Sequence, residues 1–474
     1  MSAMRLTPRL VASWLVSSLV LMLALTIPAA QASARWTLND AIMPEGISLE
    51  VNHRTRYEFL NDDFRVNSRD DTDVVVFRTL VHGRVALPYG LTAGAELQDS
   101  RAEQNSDTFL NTTIVNAVEL LRAYLELDRD DVLGGRLIAR GGRITMDVGS
   151  RRFVARNRFR NTINGFTGLD VEWQGGEDRK GLLLRGFWTL PVLREPTVIR
   201  RDRLLDNDVV FDTETLNVQF WGLFAARNLS DKDRGELFVF GIHESDSSDR
   251  PTRNRQLATP GFRVFRKPAP AAFDYTIENA IQFGESRASP SNTSPAGLKE
   301  LDHFAHFHHL TLGYTFDALW SPRIALQYDF ASGDRNPRDG KNERFDTLFG
   351  ARRFDFNPTG IYGPFARSNL HTPGLRIQVK PHKTVTAFTA VRSFWLASKK
   401  DAWTTTGVRD VNGNSGRYIG TQVEFRVRWN ILPGNLRLEA GYAHLFAGEF
   451  VDDAPNSPAN GDSDYVYSQA VVSF

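Results

Sequence analysis

Beyond residue 35 the chain is written in a period of two. Segments of about ten residues alternate apolar with polar side chains, and no stretch sustains apolar positions at the three- and four-residue spacing of an amphipathic helix. In the first segment Ile47, Leu49, Val51, Tyr57 and Phe59 share one face, and Glu50, Asn52, Arg54, Arg56 and Glu58 the other. Near the end, Ile419, Val423, Phe425, Val427 and Trp429 oppose Gln422, Glu424, Arg426 and Arg428. In the next segment Leu436, Leu438, Ala440 and Tyr442 oppose Arg437 and Glu439. A soluble sandwich would bury the apolar face on a second sheet and would use shorter loops. Long strands filling nearly the whole chain suit one large barrel, apolar toward lipid and polar toward water. Each unpaired N–H or C=O at an open edge in hydrocarbon costs several kcal/mol, so the sheet must close.

The strands read from the pattern are 47–59, 73–87, 91–98, 117–127, 136–146, 169–174, 181–190, 216–226, 236–243, 274–283, 306–316, 323–331, 374–380, 383–396, 417–429, 436–447 and 464–474. That is an odd number, whereas bacterial single-chain barrels have even ones with short periplasmic turns and long outer loops. Counted from the N-terminus, the short connections 88–90, 128–135, 175–180 and 227–235 fall on the periplasmic side. Counted from the C-terminus, 430–435, 381–382 and 317–322 do too. The counts disagree only between 244 and 273, and a further strand around Phe262 to Arg266 reconciles them. The fold class is therefore all-β: a single transmembrane antiparallel β-barrel of about 18 strands. The long outer loops are 147–168, 191–215, 284–305, 332–373, 397–416 and 448–463. Tyr57, Phe59, Trp173, Trp395 and Trp429 lie near strand ends, where interfacial aromatic belts occur. Phe474 closes the last alternating run with Val472 and Ala470.

A single apolar run, Leu10 to Ala30, follows Arg5 and Arg9 and ends in Ala32-Ser33-Ala34, the pattern of a signal peptide cleaved after Ala34. Residues 1–34 are thus the export segment and 35–474 one barrel, placed in the bacterial outer membrane. The absence of cysteine excludes disulfide scaffolds, thiolate zinc sites, iron–sulfur clusters and cysteine nucleophiles. Net charge is only +1, which gives no case for nucleic acid, so any attraction for anions must come from local placement. The expected surroundings are outer-membrane lipid and lipopolysaccharide.

That placement is arginine-heavy, with 48 Arg against 9 Lys. Arg54, Arg56, Arg78, Arg84, Arg122, Arg185, Arg376, Arg392, Arg426, Arg428 and Arg437 read inward, and guanidinium forks pair bidentately with carboxylates. A lumen lined this way lowers the barrier for an anion. Glu50, Glu58, Glu96, Glu126, Glu172, Glu278, Asp329, Glu424 and Glu439 also read inward, so cross-strand ion pairs are the competing use of the same arginines. The densest basic cluster, Arg151, Arg152, Arg156, Arg158 and Arg160, lies in a loop interleaved with Phe153 and Phe159. Like charges so close need a compensator: lipopolysaccharide phosphate, a polyanion at the pore, or acidic residues of neighbouring loops.

His303, His306, His308 and His309 form a second cluster, but no cysteine or carboxylate stands at metal-ligand spacing, and rim histidines are the expectation. Asp410, Asn412 and Asn414 start like a calcium loop, yet Ser415 replaces its glycine and Thr421 its final Glu. No G-x-S-x-G, H-E-x-x-H or phosphate loop occurs. No enzymatic activity, metal or cofactor is expected.

Four blocks of sequence resemble the alginate export family of outer-membrane barrels. They are Arg54-Thr55-Arg56-Tyr57-Glu58-Phe59; Gly142-Arg143 with Arg151-Arg152-Phe153, Arg160-Asn161 and Phe166-Thr167-Gly168; Ser332-Gly333-Asp334-Arg335 with Phe345-Asp346-Thr347-Leu348-Phe349 and Asn369-Leu370; and Tyr442 through Phe450. The pattern departs after Phe349, where Gly350-Ala351-Arg352-Arg353 replaces an expected Pro-Thr-Gly-His and Pro358-Thr359-Gly360 follows downstream. The resemblance implies an eighteen-stranded barrel that passes an anionic uronate polysaccharide outward through an arginine-rich constriction, with periplasmic export components as partners. By position it carries Arg54, Arg56, Arg143, Arg152 and Arg160 into that constriction. Joined to the inward wall arginines, the expected path is Arg54, Arg56, Arg78, Arg122, Arg143, Arg152, Arg160, Arg376, Arg392, Arg426 and Arg428, for an anionic polysaccharide or anionic solutes. The alternative is a general diffusion porin for small-solute uptake.

Overall fold

The computed structural model describes residues 35–474 apart from 67, 69–70, 105–109, 177–180, 197–200, 248–249, 288, 291–297 and 459–460. The expected export segment, 1–34, lies outside the described residues. The strands are β1 (Ile47–Asn61), β2 (Thr72–Leu87), β3 (Leu91–Gln104), β4 (Asn116–Val132), β5 (Gly135–Ile144), β6 (Phe166–Gly175), β7 (Leu183–Pro191), β8 (Val218–Asn228) and β9 (Asp233–Glu244). They continue as β10 (Gln256–Arg266), β11 (Ala272–Arg287), β12 (Glu300–Thr315), β13 (Arg323–Ala331), the two-residue β14 (Lys341–Asn342), β15 (Leu370–His382), β16 (Val385–Trp395), β17 (Tyr418–Leu432), β18 (Leu436–Ala447) and β19 (Ser463–Ser473). All but β14 belong to one antiparallel wall. It closes where β1 pairs with β19 from Asn52 opposite Ser473 to Asn61 opposite Asp464.

Eighteen long strands make the wall, as the parity of the connections requires. The strand between 244 and 273 is β10, and it starts six residues before the segment read from sequence. Pro260 and Gly261 stand in its middle, opposite Val239 and Phe238 of β9, and interrupt the alternation that would reveal it.

Outward positions such as Leu97, Leu125, Leu223, Leu237, Phe304 and Leu326 are half or more exposed, as a lipid-facing surface must be. The inner face differs from a simple polar lining. Phe187, Phe220, Phe224, Phe238, Phe240 and Phe307 point inward and are buried. The connections 145–165 and 332–369 fold into the lumen and cover them. Phe153 packs on Phe238, Phe240, Phe307 and Phe345, and Phe349 on Phe166 and Phe220. A second apolar cluster joins Phe356, Ile361, Tyr362 and Phe365 to Trp403 and to wall residues Leu60, Val74 and Tyr465. Each such side chain contributes about 1.5–3 kcal/mol on burial, so both loops are held as a packed core.

One facing differs from the sequence reading. Ile419 is fully buried in the lumen, not on the lipid face with Val423 and Phe425. The register of β16 against β17 steps from Phe394 opposite Gly420 to Trp395 opposite Tyr418, and this bulge turns the extra residue inward.

Candidate functional site

The lumen is built around the backbone of 158–160, which β1 and β2 grip from the wall. Arg54 Nη1 donates to the carbonyls of Arg158 (3.1 Å) and Phe159 (3.0 Å), and Nη2 to the Arg160 carbonyl (2.9 Å) and Asn161 Oδ1 (3.0 Å). Arg78 donates to the carbonyls of Arg158 and Arg160 at 3.0 and 2.9 Å. Arg56 donates to the Phe159 carbonyl at 2.6 Å and pairs with Glu58 at 2.6 Å. Glu58 in turn accepts from the Ile361 N–H and the Tyr465 hydroxyl, fixing the second inner loop to the same wall.

At the centre, Arg152 of the first inner loop meets Asp355 of the second. Its guanidinium also reaches Glu278 at 2.6 Å and His309 Nε2 at 2.8 Å. Arg367 pairs with Asp355, Arg392 with Asp329 at 2.6 Å, and Arg376 donates to the Phe354 carbonyl at 2.8 Å. Burial alone would raise the Asp355 carboxyl, but the neighbouring Arg152 and Arg367 guanidiniums hold it well below the usual carboxylate range. His309, Asp329 and Asp355 bring three ligand atoms within 4.8 Å of one another. Arg152, Arg367 and Arg392 already donate to those carboxylates, so the cluster is neutralised by guanidinium and does not fit a cation.

Two cavities flank this centre. The outer one, of about 390 Å³, lies among the long connections and is lined by Arg160, Arg194, Arg253, Arg255, Arg344, Arg352 and Arg367 with Asp346 and His303. Arg255 pairs with Glu244 and Asp346, Arg344 with Asp401. Arg160, Arg194, Arg253 and Arg352 have no carboxylate partner among the described residues; Arg194 donates to Asn164 Oδ1 and Arg352 to the Phe365 carbonyl. Burial, with Arg352 and Arg194 close by, brings the Arg160 guanidinium down to about 9. Burial beside Arg65 and Arg367 brings Arg352 to about 10.

The inner cavity, of about 470 Å³, sits toward the short turns and is lined by His82, Arg84, Arg122, Tyr124, Arg140, Arg156 and Arg158 with Glu126, Asp128 and Asp147. There Arg122 and Arg156 share Glu96 at 2.6 and 2.7 Å. On β17 and β18, Arg428 pairs with Glu439 at 2.7 Å, whereas Arg426 and Arg437 have no carboxylate partner among the described residues and Arg426 lies 4.6 Å over the Phe388 ring.

The arginines singled out from sequence therefore divide by what they touch. Arg54, Arg78 and Arg376 hold carbonyls of the inner loops. Arg56, Arg122, Arg143, Arg152, Arg392 and Arg428 pair with carboxylates. Arg160 lines the outer cavity, and Arg426 stands on the inner face without a carboxylate partner among the described residues. Sequence reasoning missed Arg194, Arg253 and Arg352; their signal was their position in long connections. His306 and His308 are on the outer surface, 2.9 Å apart, and His306 stacks on Phe330 in an aromatic row that continues through His371 and Trp395. Asp410 caps its own turn by accepting from Asn412 N and Ser415 N, both at 2.9 Å.

The barrel resembles outer-membrane proteins of Pseudomonas aeruginosa. OccK9 (OpdG) matches with a TM-score of 0.56 at 12% identity, covering 91% of this chain and 98% of that one. OpdK matches with a TM-score of 0.55 at 10% identity, over 90% and 98%. OccD3 (OpdP) matches with a TM-score of 0.53 at 11% identity, over 94% and 93%. At these identities the likeness shows the fold. Among curated proteins, none matches the sequence. The sequence model of the Alginate export family matches residues 46–462, nearly the whole barrel. This chain belongs to the alginate export family and is an outer-membrane β-barrel channel.

Proposed function

We propose that this channel carries anionic solutes, an anionic polysaccharide of the uronate kind or its smaller relatives, between two basic chambers separated by the inner loops. One observation carries the reading: four guanidiniums around the outer cavity, Arg160, Arg194, Arg253 and Arg352, have no carboxylate partner among the described residues. Buried like charges repel, and a carboxylate arriving there relieves that repulsion while forming charge-assisted forks. Arg158, largely exposed and reaching Asp147 at 3.3 Å, lines the inner chamber on the other side of the same loop. A general diffusion porin needs an open, weakly selective lumen, which the packed inner loops disfavour.

The test is the reversal potential of the refolded protein in a planar bilayer under a salt gradient, with and without added polyuronate. Anion selectivity and block by polyuronate are expected in the wild type, with block weakened in Arg160→Gln/Arg352→Gln. A weakly selective, unblocked pore would sink the proposal.

A further inference from the structure

The outward face of β12 carries two histidines. Leu301, His303, Ala305, Phe307 and His309 point into the barrel and are buried, so the pleat turns His306 and His308 outward beside the exposed Phe304 and Leu310. The pair lies toward the loop end of the strand. The His306 N–H donates to Ser332 Oγ at 2.9 Å, and the Arg335–Glu343 ion pair of the connection after β13 is near enough to act electrostatically on the His306 ring. Phe330, opposite His308 in the ladder, backs both imidazoles. Its ring centroid is 5.2 Å from that of His306, nearly parallel to it, and 6.1 Å from that of His308.

The two rings meet nitrogen to nitrogen, with His306 Nδ1 2.9 Å from His308 Nε2. A third side chain decides which of these carries a proton. Asn279, opposite His308 on β11, accepts at its Oδ1 from His308 Nδ1, so the His308 proton stays on Nδ1 and Nε2 keeps its lone pair. His306 then donates from Nδ1 to that lone pair. Fixing a ring through a hydrogen bond at its other nitrogen is how metal-ligating histidines are held. Metal–nitrogen bonds are about 2.0–2.1 Å long, and at that length nitrogens 2.9 Å apart subtend about 90° at an ion. This is the cis angle of a square-planar or tetragonal centre, whereas a tetrahedral zinc site would spread the nitrogens to about 3.3 Å.

We propose that His306 and His308 form a chelate for Cu²⁺, with Ni²⁺ held more weakly, on the outer face of the barrel, water taking the remaining positions. On binding, the Nδ1 proton of His306 passes to its own Nε2 by way of water, so the ring stays neutral and both lone pairs face the ion. Asn279 is a positioning residue, since it acts through His308. Imidazole pairs suit copper and nickel, with affinity rising to copper and falling again at zinc, whereas Ca²⁺ and Mg²⁺ require oxygen ligands. The set needs no carboxylate or cysteine, whose absence argued against a metal in the sequence. It lies on the other side of the wall from the lumen arginines and is independent of what the channel carries.

The experiment adds Cu²⁺ alone to the refolded barrel in detergent and follows it by electron paramagnetic resonance. The wild type should bind one tight ion whose spectrum shows two nitrogen ligands. His306→Gln and His308→Gln should each weaken binding at least about a hundredfold and leave a single-nitrogen signal, because the second ligand no longer binds intramolecularly. Asn279→Ala should keep both nitrogens and bind about tenfold more weakly, and Asn279→Asp, which retains an acceptor, should recover the affinity. His371→Gln, in the same aromatic row, and His444→Gln, beside Asp462 and Asp464, should leave the two-nitrogen signal in place. Ni²⁺ should compete with copper, and Ca²⁺ should not. Each variant is checked for a folded barrel by its gel mobility before and after boiling, and should one glutamine variant fail to fold, the other decides. No tight ion in the wild type, or binding unchanged in His306→Gln/His308→Gln, would overturn the proposal.

Discussion

Arg152 and Asp355 face each other across the centre of the lumen, with Nε and Nη2 of the arginine 2.9 and 2.8 Å from the two carboxylate oxygens. They come from different inner loops, so this fork joins two segments that approach from opposite sides of the wall. Removing one partner leaves a buried charge uncompensated, which costs roughly 3–5 kcal/mol. Asp355→Asn should therefore loosen the second inner loop while the wall stays closed. Trypsin should cut after Arg352, Arg353 or Arg367 in the variant and spare them in the wild type. Equal resistance of both proteins would show that the fork does not hold the loops.

Arg54 and Arg426 are both inner-face arginines, yet they should fail differently. Arg54 donates four hydrogen bonds to the 158–161 segment, whereas Arg426 has a ring beneath it and no carboxylate partner among the described residues. Arg54→Ala should weaken the seating of the first inner loop by roughly 3 kcal/mol and increase channel noise with little change in reversal potential. Arg426→Glu should shift the reversal potential toward cations and leave gating alone. Bilayer recordings of the two variants separate loop-holding from solute attraction.

The connection between β7 and β8 should respond to pH through Asp212, which is buried against Asn116 and Glu119 of β4. Burial and the neighbouring Glu119 push its carboxyl from 3.8 up to about 6, against the hydrogen bonds from Glu195 N–H and Asn116 and the pull of Arg194. Arg143 and Glu214 face the same pocket. A raised carboxyl favours the seated connection when protonated. That contribution is complete below the free value near 3.8 and is lost as the pH rises through about 6. A spin label at Phe211→Cys, exposed beside Asp212, should be less mobile at about pH 5 than at about pH 7.5, and Asp212→Asn should remove the difference.

Attraction that depends on guanidiniums facing water should be screened by salt. The Debye length falls from about 10 Å at 0.1 M to about 3 Å at 1 M. The anion preference measured at a fixed concentration ratio should therefore decline as total salt rises over that range. A preference independent of salt would point to steric selection.

The wall was legible because lipid imposes one rule on every strand: alternate, and leave no edge. Even β10 could be located by parity despite Pro260, since an odd count is incompatible with both ends of the wall lying on one side. The lumen was less legible. Phe220, Phe240 and Phe307 are apolar yet face inward, because the inner loops, not water, are what they meet. Ile419 faces inward because one inserted residue shifts the pleat. The arginines of 151–160 could be recognised as a cluster needing compensation, but their partners lie far along the chain, as Arg152 with Asp355 and Arg156 with Glu96 show. Arg194, Arg253 and Arg352 were hidden for the same reason. Period and spacing carry no signal for loops that pack across a lumen.

Two apolar clusters inside the barrel also give the resting channel a thermal character. Releasing Phe153, Phe345, Phe356 and Phe365 from their packing wets aromatic surface, which raises heat capacity. The free energy between the filled and emptied lumen must then curve with temperature, passing through a maximum and declining on cooling as well as on heating. A wall held by backbone ladders lacks so strong a dependence. Leakiness in the cold would be the signature of a barrel whose contents, rather than its staves, set its permeability.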